Sequence, residues 1–240
     1  MSVLETREFP QETHETIAEK NYAELLDDSR SLAIEIGVDQ HTYVTTFELL
    51  EKLRQFDEQT ARESLQTLPL ALKTAQAIHD VFPDAEVDLA AIWSSSLLHD
   101  IGKIEVSQDL IAKSNEGTDW GLKDHTQIIP HAWLGGQIAR QYGLSDTIAR
   151  AIEEHHHKQD SVLAYGVDEE LSDSERITRD CLTTADFTDA MLTRTNTRNE
   201  HLSYGERLEA VWNHICFVFN DYNSRDYLAT TVYKNLALAT

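Results

Sequence analysis

His99 and Asp100 stand side by side at the end of an apolar run, and Gly102 and Lys103 follow almost at once. An imidazole offers a neutral nitrogen to a borderline metal ion, and a carboxylate offers two oxygens that can bridge two ions. Polar groups at the end of a buried helix need partners, because an unpaired polar group in the interior is costly. The pair is therefore a candidate metal site, with a hydrogen-bonded helix end as the simpler alternative.

Further histidine and acidic residues occur on both sides of this pair, at intervals of 24 to 36 residues. Each interval is about one helix plus a connection, so we expect successive ligands to come from successive helices, as in metal-binding bundles. A zinc finger, by contrast, gathers its ligands within a few residues. The candidate ligands that share this spacing are Glu63, His99, Asp100, His131, the triplet His155, His156 and His157, and Asp186, with His155 and His156 preferred within the triplet.

The segments that must position these residues are expected to be helical. Only 9 Gly and 4 Pro occur among 240 residues, and apolar residues recur at helical spacing, so we predict an all-α bundle. Asp57 and Ser145 are predicted N-caps, and Pro69 is expected to kink or split its helix. The tryptophans Trp93 and Trp133 are predicted to fill the core. Helices are predicted over residues 21–56, 57–81, 87–98, 105–113, 128–142, 148–157, 174–192, 207–219 and 227–238.

The overall charge restricts the partners. Acidic residues number 42 and basic residues 20, for a formal net charge of −22, which disfavours binding to nucleic acid polymers or anionic membranes. A small phosphate-bearing substrate remains compatible, since bound divalent ions make a cleft locally positive. No apolar run approaches the roughly 20 residues of a membrane helix and the first residues lack a signal core, so we expect a cytoplasmic protein.

Four stretches carry a family resemblance: residues 98–104, His131 with Gly135, residues 151–156 and residues 185–191. In order and spacing they resemble the HD-domain metal-dependent phosphohydrolases, and most closely the HD-GYP branch, over about residues 56–200. The resemblance implies an HD-domain-like helical bundle. We therefore predict an N-terminal arm and helical extension over residues 1–55 and a metal-binding helical domain over residues 56–240.

The resemblance also implies roles for the candidate ligands. His99, Asp100 and Asp186 would hold one divalent ion, and Asp100 would bridge to a second ion. The remaining ligands of that second ion would be His131, His155 and His156. Lys103 would face the substrate phosphate, and a hydroxide activated by the two ions would attack the phosphorus. The ions expected are iron or manganese, ahead of magnesium, nickel, zinc or cobalt, and a third ion is left open.

Three positions depart from the family pattern. Glu63 stands about where the family has its first histidine, and a carboxylate there can still bind a hard or borderline cation. His157 replaces the glutamate that follows the histidine pair. Residues 160–167 lack the Gly-Tyr-Pro signature of the loop that helps the HD-GYP branch to hold cyclic di-guanylate. The substrate, a nucleotide or a cyclic dinucleotide in this interpretation, is therefore left open.

Three functions fit the pattern. The first is hydrolysis of a nucleotide-like phosphate ester or diester by a two-metal phosphohydrolase, with Asp100 and Lys103 as the catalytic residues. The second is a mixed-valent di-iron oxygenase, because some HD-fold proteins use a similar ligand set with O₂. The third is a catalytically degenerate regulatory module, which would be consistent with Glu63 and the missing signature. The sequence does not indicate an oligomeric state.

Overall fold

A computed structural model describes residues 19–116, 121–156, 171–193 and 201–237, and all regular structure in these ranges is helical. The all-α prediction is therefore confirmed. The predicted arm up to residue 18, His157 and the loop at 160–167 lie outside the described residues. Within the described ranges, no helix has the length and apolar content needed to cross a bilayer.

The helices follow one another with short connections. In chain order they are α1 (Tyr22–Ile36), α2 (Gln40–Phe56), α3 (Glu58–Val81), α4 (Leu89–Leu98), a 3₁₀ helix (Ile101–Glu105), α5 (Gln108–Glu116), α6 (Leu122–Ile128), α7 (His131–Gln141), α8 (Asp146–Glu154), α9 (Asp173–Leu192), α10 (Tyr204–Val218) and α11 (Arg225–Ala237).

Side-chain caps explain where several helices begin. The predicted caps are confirmed: Asp57 accepts a hydrogen bond from the Thr60 amide, and Ser145 accepts one from the Ile148 amide. Ser172 begins α9 with a capping box in which the Glu175 carboxylate bonds back to the Ser172 amide. Such caps satisfy amide groups that have no partner within the helix.

Two sequence predictions are corrected and a third is narrowed. Pro69 does not split its helix, because α3 continues on both sides of it, held by buried residues in each half, and the kink stays a prediction. The helix predicted over 128–142 begins only at His131, as α7, and Ile128 instead ends the separate helix α6. Pro130 lies between them and has no N–H to continue the hydrogen-bond ladder. Trp133 is 51 % exposed on the outer face of α7, whereas Trp93 is fully buried as predicted.

The long helix α3 lies at the centre of the bundle. It packs against α1, α2, α4, α9 and α11, and the buried apolar residues of these helices form one continuous core. The N-terminal pair α1 and α2 contributes Leu25, Leu49 and Leu53 to that core. The division of the chain at residues 55 and 56 stays a prediction.

A second set of contacts brings together the helices that carry the candidate ligands. The 3₁₀ helix and α8 both pack on α7, and α8 also contacts α4 and α9. Two glycines allow the close approach: a Cβ at Gly102 would overlap the His131 carbonyl oxygen, and one at Gly135 would lie 2.8 Å from the Ile152 side chain. Side chains at these positions would push the ligand-bearing segments apart.

Candidate metal centre

Three of the candidate histidines are held by the same kind of hydrogen bond. Nδ1 of His99 lies 2.9 Å from the Ser96 carbonyl oxygen, Nδ1 of His131 lies 2.6 Å from that of Ile128, and Nδ1 of His155 lies 2.7 Å from that of Ile152. Each carbonyl belongs to the last turn of a helix, α4, α6 or α8. A carbonyl only accepts, so each Nδ1 carries a proton that it donates there, and a ring that holds no second proton presents its Nε2 lone pair to the interior.

Asp100 lies between two of these rings. One carboxylate oxygen, Oδ1, is 3.1 Å from Nε2 of His131, and the other, Oδ2, is 3.4 Å from Nε2 of His99. Oδ2 is also 2.7 Å from Nζ of Lys103. The two oxygens thus face two different imidazoles, which is the arrangement that a carboxylate shared by two cations requires.

His156 and Asp186 complete the group. Nε2 of His156 lies 3.3 Å from Nε2 of His131, and Nδ1 of His156 lies 4.0 Å from Oδ2 of Asp186. The other Asp186 oxygen is 3.6 Å from Nε2 of His99. Ligand atoms of His131, His155 and His156 all lie within 4.8 Å of one another, a cluster able to hold one metal ion.

The surroundings of the group favour an ionised Asp100 and a neutral His155. Burial and the neighbouring rings of His156, His99 and His131 hold the pKa of His155 well below its usual range. Burial tends to raise the pKa of Asp100, but the charges of Lys103 and His99 prevail and hold it well below its usual value. Burial tends to lower the pKa of His99, yet Asp100 and Asp186 together raise it.

The buried atoms of the group fit divalent metal ions. Nε2 of His155 is buried without a hydrogen-bond partner among the described residues, although buried polar atoms are almost always paired. A metal ion would satisfy that lone pair. The set combines imidazole nitrogens with carboxylate oxygens, which suits iron, manganese and similar ions better than the thiolate-preferring ones.

Six of the seven predicted ligands therefore come together: His99, Asp100, His131, His155, His156 and Asp186. Glu63 is buried on α3, where it accepts a hydrogen bond from Gln59 at 2.8 Å, and its role as a ligand stays a prediction. Lys103 is nearly buried beside Asp100. The assignment of all seven residues as metal ligands likewise stays a prediction.

Sequence reasoning missed two charged residues that join the helices supporting this group. Glu154, the last residue of α8, forms an ion pair of 3.1 Å with Arg179 of α9. A signal for Arg179 was present, since it precedes Asp186 by seven residues, two helical turns, and so shares its face of α9.

Comparison with known proteins agrees with this geometry. The family model described as HD domain matches residues 60–191, more than half of the chain. No curated protein matches the chain. No solved structure matches it either. The fold, the buried histidine and aspartate group and this match define the class: the chain belongs to the HD domain family. Membership implies divalent metal binding and a place among metal-dependent hydrolases.

Proposed function

We propose that this protein is a metal-dependent phosphohydrolase that uses two divalent ions to cleave a nucleotide-like phosphate ester or diester. The observation that carries the proposal is the position of Asp100, whose two oxygens face His131 and His99 separately. A carboxylate placed in this way supports two ions rather than one. The other carboxylate and imidazoles supply the remaining ligands of each.

Each residue has a distinct part in the proposed site. His99 and Asp186 would hold one ion, and His131, His155 and His156 the other, with Asp100 shared. When bound, such ions provide Lewis acidity and lower the pKa of a coordinated water. Lys103 holds a positive charge at the edge of this group, 2.7 Å from Asp100, where it can attract a phosphate oxygen of the substrate.

The substrate proposal is a small nucleotide or cyclic dinucleotide. The order of the ligands supports the HD-GYP branch, whereas residues 160–167 lack the signature that this branch uses around cyclic di-guanylate. The excess of 42 acidic over 20 basic residues disfavours a polymeric nucleic acid, because a long polyanion would meet repulsion outside the cleft.

The test begins with the purified protein, stripped of metal by a chelator and reloaded with Fe²⁺ or Mn²⁺. We expect two ions per chain and phosphate release from a generic aryl phosphate, a nucleotide or a cyclic dinucleotide. Chelation should abolish turnover, and reloading should restore it. Fewer than one ion per chain without phosphatase activity would support a regulatory module, and O₂ consumption by the iron-loaded protein would support an oxygenase.

A variant pair makes the test specific. Asp100→Asn keeps the size of the side chain but removes the shared charge, so metal binding should weaken by more than the ~10–100-fold that removal of an outer partner of a ligand costs. Asp109→Asn is the matched control, because Asp109 is an exposed aspartate on α5. An Asp100→Asn protein that keeps two ions and full turnover would contradict the assignment.

A further inference from the structure

Two ion pairs join α8 and α9 in the same order along both helices, and a pair of proposed ligands follows just past the end of α8. Arg150 faces Glu175 at 3.5 Å, and four residues later on each helix Glu154 faces Arg179 at 3.1 Å. Beyond these pairs, His156 faces Asp186 at 4.0 Å. The two helices therefore run in the same direction, and the charges are reversed from the first pair to the second.

The pair nearest the metal centre is the buried one. The side chain of Glu154 is 4 % exposed and that of Arg179 is 13 % exposed, whereas Arg150 and Glu175 are more open to solvent. A buried ion pair seldom stabilises a fold more than apolar side chains of similar size, because both charges lose their hydration. We therefore expect this pair to contribute by fixing one geometry, since Glu154 directly precedes the proposed ligands His155 and His156.

Arg179 is itself held in place by a second carboxylate, that of Asp180. Its Nε donates to Oδ1 of Asp180 at 2.9 Å, and the hydroxyl of Tyr222 donates to Oδ2 of the same carboxylate, also at 2.9 Å. Asp180 is buried as well. The guanidinium is thus fixed by one carboxylate while it holds another, and the planar fork of arginine suits this double contact better than a lysine ammonium.

We propose that Glu154 and Arg179 are positioning residues, which hold the last turn of α8 against α9 so that His155, His156 and Asp186 meet at one metal centre. Neither residue is a metal ligand in this proposal. It rests on the proposed function only in requiring that these histidines and this aspartate bind metal. Arg179 and Asp186 lie on the same face of α9. Arg179 holds the end of α8 through Glu154, and Asp186 is a proposed ligand of the metal ion.

The test measures metal affinity directly. The metal-free protein is titrated with Mn²⁺, and the electron paramagnetic resonance signal of the free ion gives the amount bound. Glu154→Gln keeps the shape of the side chain and leaves Arg179 paired with Asp180. We expect its Mn²⁺ affinity to fall by about 10–100-fold, as for other groups that orient metal ligands.

The matched control is Glu175→Gln, which alters the other ion pair between the same two helices, with Arg150 and Glu175 21 % and 16 % exposed. Glutamine also serves at this position of a capping box, so the start of α9 is retained. We expect Mn²⁺ affinity within about twofold of the wild type, because this pair is longer, at 3.5 Å, and lies one helical turn further from His155 and His156. Equal affinities of Glu154→Gln and Glu175→Gln would overturn the proposal.

Two further comparisons separate positioning from a general loss of stability. Arg179→Lys should recover part of the Mn²⁺ affinity that Arg179→Gln loses, since it restores a charge opposite Glu154. Val232→Ala, in the buried face of α11, destabilises the fold away from the centre and should leave Mn²⁺ affinity unchanged. If Val232→Ala weakens Mn²⁺ binding as much as Glu154→Gln at equal loss of stability, the positioning role is wrong.

The same titration distinguishes this proposal from the proposed function. If the wild type binds no Mn²⁺, the metal centre itself is wrong, and the positioning role falls with it. If the wild type binds Mn²⁺ but hydrolyses no phosphate ester, the function fails while the affinity difference between the two glutamine variants still decides the positioning role.

Discussion

Two regions of this bundle use aromatic rings in different ways. In the Trp93 cluster (Trp93, Tyr43 and Phe47), Tyr43 stacks on Trp93 with ring centroids 6.2 Å apart and Phe47 meets it edge-on at 5.4 Å. The indole nitrogen of the buried Trp93 donates to the Ser29 carbonyl oxygen at 3.1 Å. In the metal centre, imidazoles of His99, His131, His155 and His156 pack with centroids 3.9 to 5.3 Å apart.

The difference lies in what holds the rings. The Trp93 cluster is held mainly by apolar contact, which depends on the size and spacing of side chains, with one hydrogen bond to a backbone carbonyl oxygen. The metal centre is held by backbone groups: helix-end carbonyls that accept from Nδ1, and glycines that let two segments touch. We therefore expect substitutions in the first region to change stability alone, and those in the second to change metal binding as well.

The largest expected loss of stability is that of Trp93→Ala. Removing a fully buried tryptophan should lower the free energy of unfolding by about 3–5 kcal/mol, measured by urea denaturation of the metal-free protein. Mn²⁺ affinity measured under folding conditions should not change. Trp133→Ala is the control, and its half-exposed ring should contribute less than about 1 kcal/mol. A weaker Mn²⁺ affinity in Trp93→Ala would show that the two regions are not independent.

Gly102→Ala should affect both quantities. The added Cβ would overlap the His131 carbonyl oxygen, so the 3₁₀ helix must move away from α7, at a cost of about 1–3 kcal/mol. The movement separates Asp100 from His131, and Mn²⁺ affinity should fall with it. Gly205→Ala, where a Cβ meets nothing within 4 Å, should keep wild-type affinity and stability. If Gly102→Ala lowers stability but leaves Mn²⁺ affinity unchanged, the expected difference between the Trp93 cluster and the metal centre is wrong.

A smaller effect is expected for a polar pair next to the Trp93 cluster. The hydroxyls of Thr46 and Ser94 share a buried hydrogen bond of 2.7 Å between α2 and α4. Ser94→Ala leaves the Thr46 hydroxyl unsatisfied and should cost about 1–2 kcal/mol in urea denaturation. The double variant Thr46→Val/Ser94→Ala should recover most of that loss. If the double variant loses as much free energy of unfolding as the two single variants added together, the two hydroxyls do not depend on each other.

The sequence predicted most of the fold because the helices follow local rules. Asp57 and Ser145 could be identified as caps from their side chains and the apolar residues that follow. The break at Pro130 was missed, since the apolar spacing continues from Ile128 into α7 and conceals it. Trp133 shows the opposite error: a large apolar residue does not reveal which side of its helix faces a neighbour.

The residues of the candidate site could be predicted from the sequence, but the contacts that hold those residues in place could not. Residue types and spacing predicted the six residues that meet, since histidines and aspartates one helix apart are typical of metal-binding bundles. The hydrogen bonds that fix the rings involve backbone carbonyls, which no residue type indicates. The ion pair of Arg179 with Glu154 was also missed, because helix periodicity places Arg179 on the face of Asp186 but does not say which helix lies opposite.

The bonds from three imidazoles to helix-end carbonyls have a consequence for how an ion is captured. Rotation of His99, His131 and His155 is already restricted by the folded backbone. The conformational entropy of these rings is lost as the chain folds and need not be lost again when a cation arrives. Because each ring also satisfies the last turn of a helix, exchanging it for alanine would remove a proposed ligand and loosen a helix terminus together.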